Sequence, residues 1–425
     1  MIGGNVYLRE MNFGVSSNDE AKLFDDGSSS KRISMFTAVV LLVNAAMSTD
    51  PFFFGGYFNC GVLQSFLIGI FVMVMVIFSF KVYLQTWVYG SIYTYRDMWA
   101  KCFGKGTVFI PSLMILVAYS SITMLCTNEI YTDILEIVTY FFPDNYFTKG
   151  RWSWIFTVVL VTTFPFLLYS RGSDFYKLAY ISKLGLLIGI GSVVYTFVQH
   201  IQREGFDPQQ QMIWWAKKTD YSFEAFGGFN TVMFLHPVVH FIVRDMVEPT
   251  KKRIQKCIWY TELLTFISCL VAGYATYFIL FENNDGENAL QYFPPNNKAT
   301  IIGKIGSVFS NIGLNSFYIW LLAQETCNLF LSGCSKANLA RISSGIVVIL
   351  FNIAMDFLNQ AIIDIFGLMG NLSFIFLSFV FPSMFFLKIY GMVSTKWAIY
   401  TISVIVIAVP ISLANFKYEV SALEW

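Results

Sequence analysis

Charge is scarce in this chain. Asp, Glu, Lys and Arg make up 13% of its 425 residues, about half of the roughly 25% found in soluble domains. So few charges cannot coat a water-facing surface of this length. The net charge is +1, so nothing points to nucleic acid or another strongly charged partner, and none is expected. Cysteine is thin and scattered: Cys60, Cys102, Cys126, Cys257, Cys269, Cys327 and Cys334 form no CxxC pair, so neither a disulfide framework nor a zinc site is expected. The sequence shows no nucleophile–base pair, phosphate loop or dinucleotide fingerprint. It is therefore read as a non-enzyme, with no metal or organic cofactor.

What the chain has instead is long apolar blocks. Hydrophobic residues make up 56% of it, and residues 68–80 and 402–410 run almost without a polar interruption. A bilayer core takes about 20 apolar residues per helix, whereas barrel strands are short and alternate. The reading is an all-α membrane protein of about eleven transmembrane helices. The spans fall near 34–57, 62–88, 108–131, 152–170, 177–199, 223–243, 257–281, 301–329, 341–361, 365–390 and 396–414. Residues 1–32 read as a disordered cytoplasmic tail, 33–414 as one polytopic transmembrane domain, and 415–425 as a short C-terminal tail. With the N-terminus in the cytoplasm, 18 of the 28 Lys and Arg residues face that side and 7 the other, with Lys81, Lys183 and Lys304 inside spans. The positive-inside rule favours this orientation.

Two spans carry signs of a break. The first reads Asn44-Ala45-Ala46-Met47-Ser48-Thr49-Asp50-Pro51. Pro51 lacks an amide hydrogen and clashes with the preceding turn. Freed backbone inside a bilayer is tolerated only against protein or a cavity. An intramembrane Asp marks function by default, although a proline kink with Asp50 reaching the interface is the plainer alternative. The sixth span begins Glu224-Ala225-Phe226-Gly227-Gly228-Phe229-Asn230-Thr231. Gly227 and Gly228 read either as a second break or as small residues permitting close helix packing. Breaks five spans apart suit an inverted repeat of five helices each, with the substrate held at the breaks.

Other polar residues in spans are weaker candidates. His236 and His240 share a helix face, where metal binding, proton sensing and packing are all open. Ser310 and Asn311 offer oxygen atoms for a small cation, or hydrogen bonds between helices. Tyr119 would cover a substrate or simply pack. Lys183 stands alone.

Several stretches, in order, carry a family likeness: Tyr95-Arg96-Asp97-Met98 with Phe103-Gly104-Lys105, Phe164-Pro165-Phe166 through Leu178-Ala179-Tyr180-Ile181-Ser182, Phe234-Leu235-His236-Pro237, Arg244-Asp245-Met246, Glu248-Pro249-Thr250-Lys251-Lys252-Arg253, Gly273-Tyr274-Ala275-Thr276-Tyr277-Phe278, and Gly367-Leu368-Met369-Gly370 followed by Phe381-Pro382. Together they make the chain resemble the amino acid/auxin permease family, which includes sodium-coupled neutral and proton-coupled amino acid transporters. The resemblance implies a five-plus-five inverted repeat with broken helices 1 and 6 and one extra C-terminal helix. It implies secondary active transport of amino acids by alternating access, coupled to H+ or Na+. Polyamines or other organic cations are an alternative substrate class, and a non-transporting amino acid sensor is an alternative of another kind. Met47, Ser48, Thr49, Asp50, Phe226, Gly227, Gly228, Asn230, Thr231 and Tyr119 are the expected substrate-binding residues. Asn44, Asp50, Ser310 and Asn311 are the expected ion-coupling ones, Asn44-Ala45 standing where sodium-coupled members carry an Asn-Ala pair. The family usually has a glycine-rich segment where this chain has Ser48-Thr49-Asp50-Pro51, so Asp50 is read as a proton carrier or a partner for a cationic group. Span 8 also lacks the family's usual proline and arginine, with Gln324 and Glu325 near that place. The expected setting is a lipid bilayer of the plasma membrane or an endolysosomal or vacuolar membrane.

Overall fold

The computed structural model describes residues 32–48, 50–87, 94–143, 157, 172–205, 212–215, 220–280, 288–295, 297–330, 337–355, 360–390 and 395–422. The tail before residue 32, Thr49 and, apart from residue 157, the expected fourth span lie outside the described residues. Among the described residues the elements are helical, with one isolated bridge joining Ile33 to Met246.

The first helix, α1 (Met35–Ala46), starts where the Ser34 hydroxyl accepts from the Thr37 amide at 3.1 Å, a side-chain N-cap. It stops at Met47, whose backbone is extended. A 3₁₀ turn at Asp50–Phe52 and the short α2 (Phe54–Tyr57) continue the span. Pro51 cannot donate into a helical ladder, so the chain leaves the helix here, as its sequence demands.

Helices α3 (Val62–Thr86), α4 (Tyr95–Phe103), α5 (Phe109–Phe141) and α6 (Tyr176–Glu204) follow. The sixth span is α7 (Asp220–Val232) and α8 (Val239–Val243). After these come α9 (Lys251–Leu280), the short α10 (Ala289–Tyr292), α11 (Lys298–Phe330), α12 (Ala337–Met355), α13 (Gln360–Ile375), a π turn at Phe376–Val380, α14 (Phe381–Tyr390) and α15 (Thr395–Ala422). Among the described residues, six helices are long and apolar enough to cross a membrane.

Two expectations are corrected. Gly227 and Gly228 do not break the sixth span; they lie within α7. A Cβ on Gly228 would run into the Tyr57 ring, so this glycine permits close packing. The break follows at 233–238, where Pro237 lacks an amide and α8 resumes at Val239. The third span does not end near 131 but runs as α5 to Phe141. Asp133 and Glu136 are therefore helical residues of α5, and both are matched by α11. The final helix reaches Ala422.

α11 is the hub, and most of its length is buried. It lies antiparallel to α5, because partners climb one helix as they descend the other: Glu325 with Ser112, Asn315 with Thr127, Asn311 with Glu129, Ser307 with Asp133 and Lys304 with Glu136. It meets α6 through small residues. A Cβ on Gly306 would stand 2.9 Å from the Gly189 nitrogen, and one on Gly185 would stand 2.6 Å from the Gly306 carbonyl oxygen. Lipid tails give apolar helices no reason to associate, so close backbone approach and interhelical hydrogen bonds hold such bundles together.

The π turn sits against α3 and α4. The Ser378 carbonyl accepts from the Ser79 hydroxyl, and the Leu377 carbonyl accepts from the Tyr95 hydroxyl at 2.6 Å. His236, in the break of the sixth span, lies 3.2 Å from Ser79 Oγ and stacks on Phe80. His236 thus ties the break to the π turn, and the described residues hold no cluster of three or more metal-ligating side chains.

The packing predicts a contrast between two glycines. Gly306→Leu has backbone on the facing helix to displace and is expected to destabilise the protein by about 1–3 kcal/mol. Gly191→Ala meets nothing within 4 Å and gains helix propensity, so it is expected to be neutral or slightly stabilising. Melting temperatures of the detergent-solubilised variants check both.

Candidate functional site

The first break frees backbone groups that lipid cannot satisfy, and three side chains take them. Tyr318 of α11 donates its hydroxyl to the Ala45 carbonyl. Lys183 of α6 donates its ammonium to the Met47 carbonyl at 2.5 Å. The Ser48 amide donates to Asp50 Oδ2 at 2.8 Å, so the Asp50 carboxylate caps its own break. Lys183, isolated in sequence, is thereby the cation nearest in action to Asp50.

Beside the break lies a cavity of about 470 Å³, within the usual size of small-ligand sites. The first span contributes Ser48, Asp50, Phe53, Phe54 and Tyr57, and α7 contributes Glu224, Gly227, Gly228, Thr231 and Val232. The α5 wall is Ile122, Leu125, Cys126, Asn128 and Glu129, and Asn288, Gln291 and Asn371 complete the lining. Three carboxylates line it, and among the described residues no Lys, Arg or His does. The Nδ2 donor of Asn288 is buried without a partner, while its Oδ1 caps α10. The arrangement offers negative charge and aromatic faces to an ammonium group, and neutral amides to a carboxylate.

An aromatic layer joins α5, the second break and α11. Tyr119 stacks on Phe234 at 5.5 Å and meets Tyr318 at 4.7 Å between ring centroids.

Of the expected substrate residues, Ser48, Asp50, Gly227, Gly228 and Thr231 line this cavity. Met47 does not, although its carbonyl takes Lys183. Phe226 packs against Phe71, Asn230 is buried outside the lining, and Tyr119 belongs to the aromatic layer. Thr49 is outside the described residues. Of the ion-coupling set, Asn44 donates to the Gly313 carbonyl at 3.2 Å and leaves its Oδ1 buried without a partner, as Ser310 leaves its hydroxyl. Asn311 stands elsewhere: it accepts from Ser48 Oγ at 2.7 Å and donates to Glu129 Oε2 at 3.0 Å.

Sequence reasoning missed Glu129, Phe54, Tyr57 and Asn288. Glu129 carried the same signal as Asp50, a carboxylate inside a span. Asn288 carried none, since it sits in a polar connector among similar residues.

A family model described as "Transmembrane amino acid transporter protein" matches residues 31–423. A search of curated proteins finds no match. Solved structures with a similar fold include MhsT in complex with L-phenylalanine, at 11% identity, covering 92% of this chain and 100% of that one with a TM-score of 0.62. Mhp1, a nucleobase-cation-symport-1 family transporter closed around bromovinylhydantoin, matches at 12% identity, 96% of each chain and a TM-score of 0.61. A Na+-coupled sialic acid symporter in a substrate-bound outward-open state matches at 14% identity, 92% of this chain and 90% of that one, with a TM-score of 0.54.

Removing the Lys183 ammonium would leave the Met47 carbonyl unpaired in a dry site. Lys183→Met is expected to destabilise the protein by about 1–3 kcal/mol and to weaken ligand binding at the break. Thermal melts with and without ligand measure the two effects separately.

Proposed function

The chain belongs to the transmembrane amino acid transporter family, and from that premise we propose that it is a proton-coupled secondary transporter of amino acids. The observation that carries the proposal is the broken first helix, with Asp50 on the cavity and Lys183 fixed on the freed carbonyl beside it. Asp50 receives the substrate's ammonium group and carries the coupling proton; Asn288 Nδ2 and Thr231 receive the carboxylate. The tethered Lys183 ammonium stands against a carbonyl that would otherwise serve a mobile cation, which favours H+ over Na+.

The topology we propose has the N-terminus in the cytoplasm and eleven crossings, arranged as two inverted repeats of five and a final helix. The cavity then opens toward the far side of the membrane, and the Tyr119–Phe234–Tyr318 layer is the closed inner gate. Alternating access exchanges these two closures. The protein is a carrier, not an enzyme.

The three carboxylates on the cavity favour a second substrate class, cationic amino acids or polyamines, because a net negative cavity attracts a second ammonium group. Phe54 and Tyr57 rings would add cation–π attraction.

Purified protein in proteoliposomes, given a panel of labelled amino acids and polyamines, tests the proposal. An inward proton gradient is expected to drive accumulation at least tenfold above a matched sodium gradient. Asp50→Asn is expected to abolish that accumulation and its pH dependence. Sodium-driven uptake, or an Asp50→Asn pH profile like wild type, would overturn it. Binding without exchange of any labelled substrate would favour a sensor.

A further inference from the structure

The cavity is not the end of the acidic side chains on α5. Glu129, Asp133 and Glu136 stand at i, i+4 and i+7, so they share one helix face and climb about 10 Å along it at 1.5 Å per residue. Each has a partner at the matching height on α11. Glu129 accepts from Asn311 at 3.0 Å, Asp133 accepts from the Ser307 hydroxyl, and Glu136 pairs with Lys304. Their surroundings grade from wet to dry and back. Glu136 is partly exposed, with 32% of its side chain accessible. Asp133 is buried, and Glu129 emerges on the cavity that Asp50 also lines.

A ladder of this kind is more than two helices need for packing. Carboxylates inside a span are expensive and mark ion and proton pathways, and small-residue contacts such as those between α6 and α11 do the packing at lower energetic cost. The link to the break is direct: Asn311 holds Glu129 with its amide and Ser48 with its carbonyl oxygen, and the Ser48 amide holds Asp50. Two of the three carboxylates that line the cavity, Asp50 and Glu129, are thus fixed to one Ser–Asn bridge.

We infer that Asp133 and Glu129 are the proton's entry path to Asp50, running between α5 and α11 from the far side of the membrane. This rests on the proton-coupled reading above. The proton arrives from bulk water past the Glu136–Lys304 pair and binds Asp133. Ser307 goes on donating to one oxygen of Asp133, so the other is left to take the proton. It moves to Glu129 and then, across water in the cavity, to Asp50. At each hop one O–H bond breaks on the donor carboxyl and one forms on the acceptor, so the net result is one proton carried inward. Asn311 cannot carry a proton and is a positioning residue. The charged groups acting on Asp133 are Lys304 of α11 and Glu136 of its own helix. Glu129 shares the cavity with Cys126, Asp50 and Glu224.

The test uses full-length protein in proteoliposomes with a labelled mixture of the twenty standard amino acids and an internal pH dye. Wild type comes first: if it shows no proton-driven uptake, the proton-coupled reading itself falls and this inference with it. Given a wild type that couples, Asp133→Asn and Glu129→Gln are expected to lose proton-driven accumulation at least tenfold and to flatten the pH profile. Asp133→Asn, which lies outside the cavity lining, is expected to keep substrate exchange between equal internal and external pools, which needs no net proton movement. Asp133→Glu is expected to restore the pH dependence. Wild-type accumulation and pH profile in both variants would overturn the inference. So would loss of exchange in step with accumulation that Asp133→Glu does not reverse, since the ladder would then only be holding the helices together.

Discussion

The structure depends on how the backbone that leaves α1, at Ala45, Met47 and Ser48, is satisfied inside an apolar bundle. A helix would have paired those amides and carbonyls with its own next turn, but Pro51 forbids it. Hydrocarbon offers no substitute, so each freed group must find a protein partner. Tyr318, Lys183 and the Asp50 side chain are those partners, drawn from α11, α6 and the break itself. The packing of α6 and α11 around α1 follows from that demand. Gly185 and Gly306 let those two helices come close enough for their polar side chains to reach the break.

The same demand produces the site. A backbone that has left the helix carries a carboxylate and a hydroxyl to a point where a regular helix would present only a curved apolar face. The second break, at 233–238, performs the matching service with Pro237 and anchors itself through His236 to Ser79. Between the first break and α7 lies the cavity, and Tyr119, Phe234 and Tyr318 pack together beside the second break. The acidic ladder on α5 meets the first break through Asn311 and Ser48. One side of the cavity is therefore continuous with the polar groups between α5 and α11.

The spans were legible in the sequence because apolar length is a strong and local signal. The first break was legible because proline inside a span has a single steric consequence. The second break was misplaced: the Gly227-Gly228 pair drew attention that Pro237 merited by the same rule that located the first. Gly228 in α7 serves packing against Tyr57 instead. Asp133 and Glu136 were assigned to a connector because an apolar window ends where charge begins, and only the partners on α11 reveal that the helix continues. Lys183 and Asn288 were not interpretable from sequence, since their meaning lies in contacts with residues more than a hundred positions away or in a cavity formed by separate spans.

The central claim is that the break at 47–50, with Asp50 facing the cavity and Lys183 behind it, is where the transported molecule and its coupling charge meet. An experimental structure determined with a transported amino acid bound tests this most directly. The account predicts ligand density between α2 and α7, with the ligand's ammonium nitrogen within hydrogen-bonding distance of Asp50 and Lys183 still on the Met47 carbonyl. Ligand density away from both breaks, or a continuous first helix through residues 47–50, would contradict it.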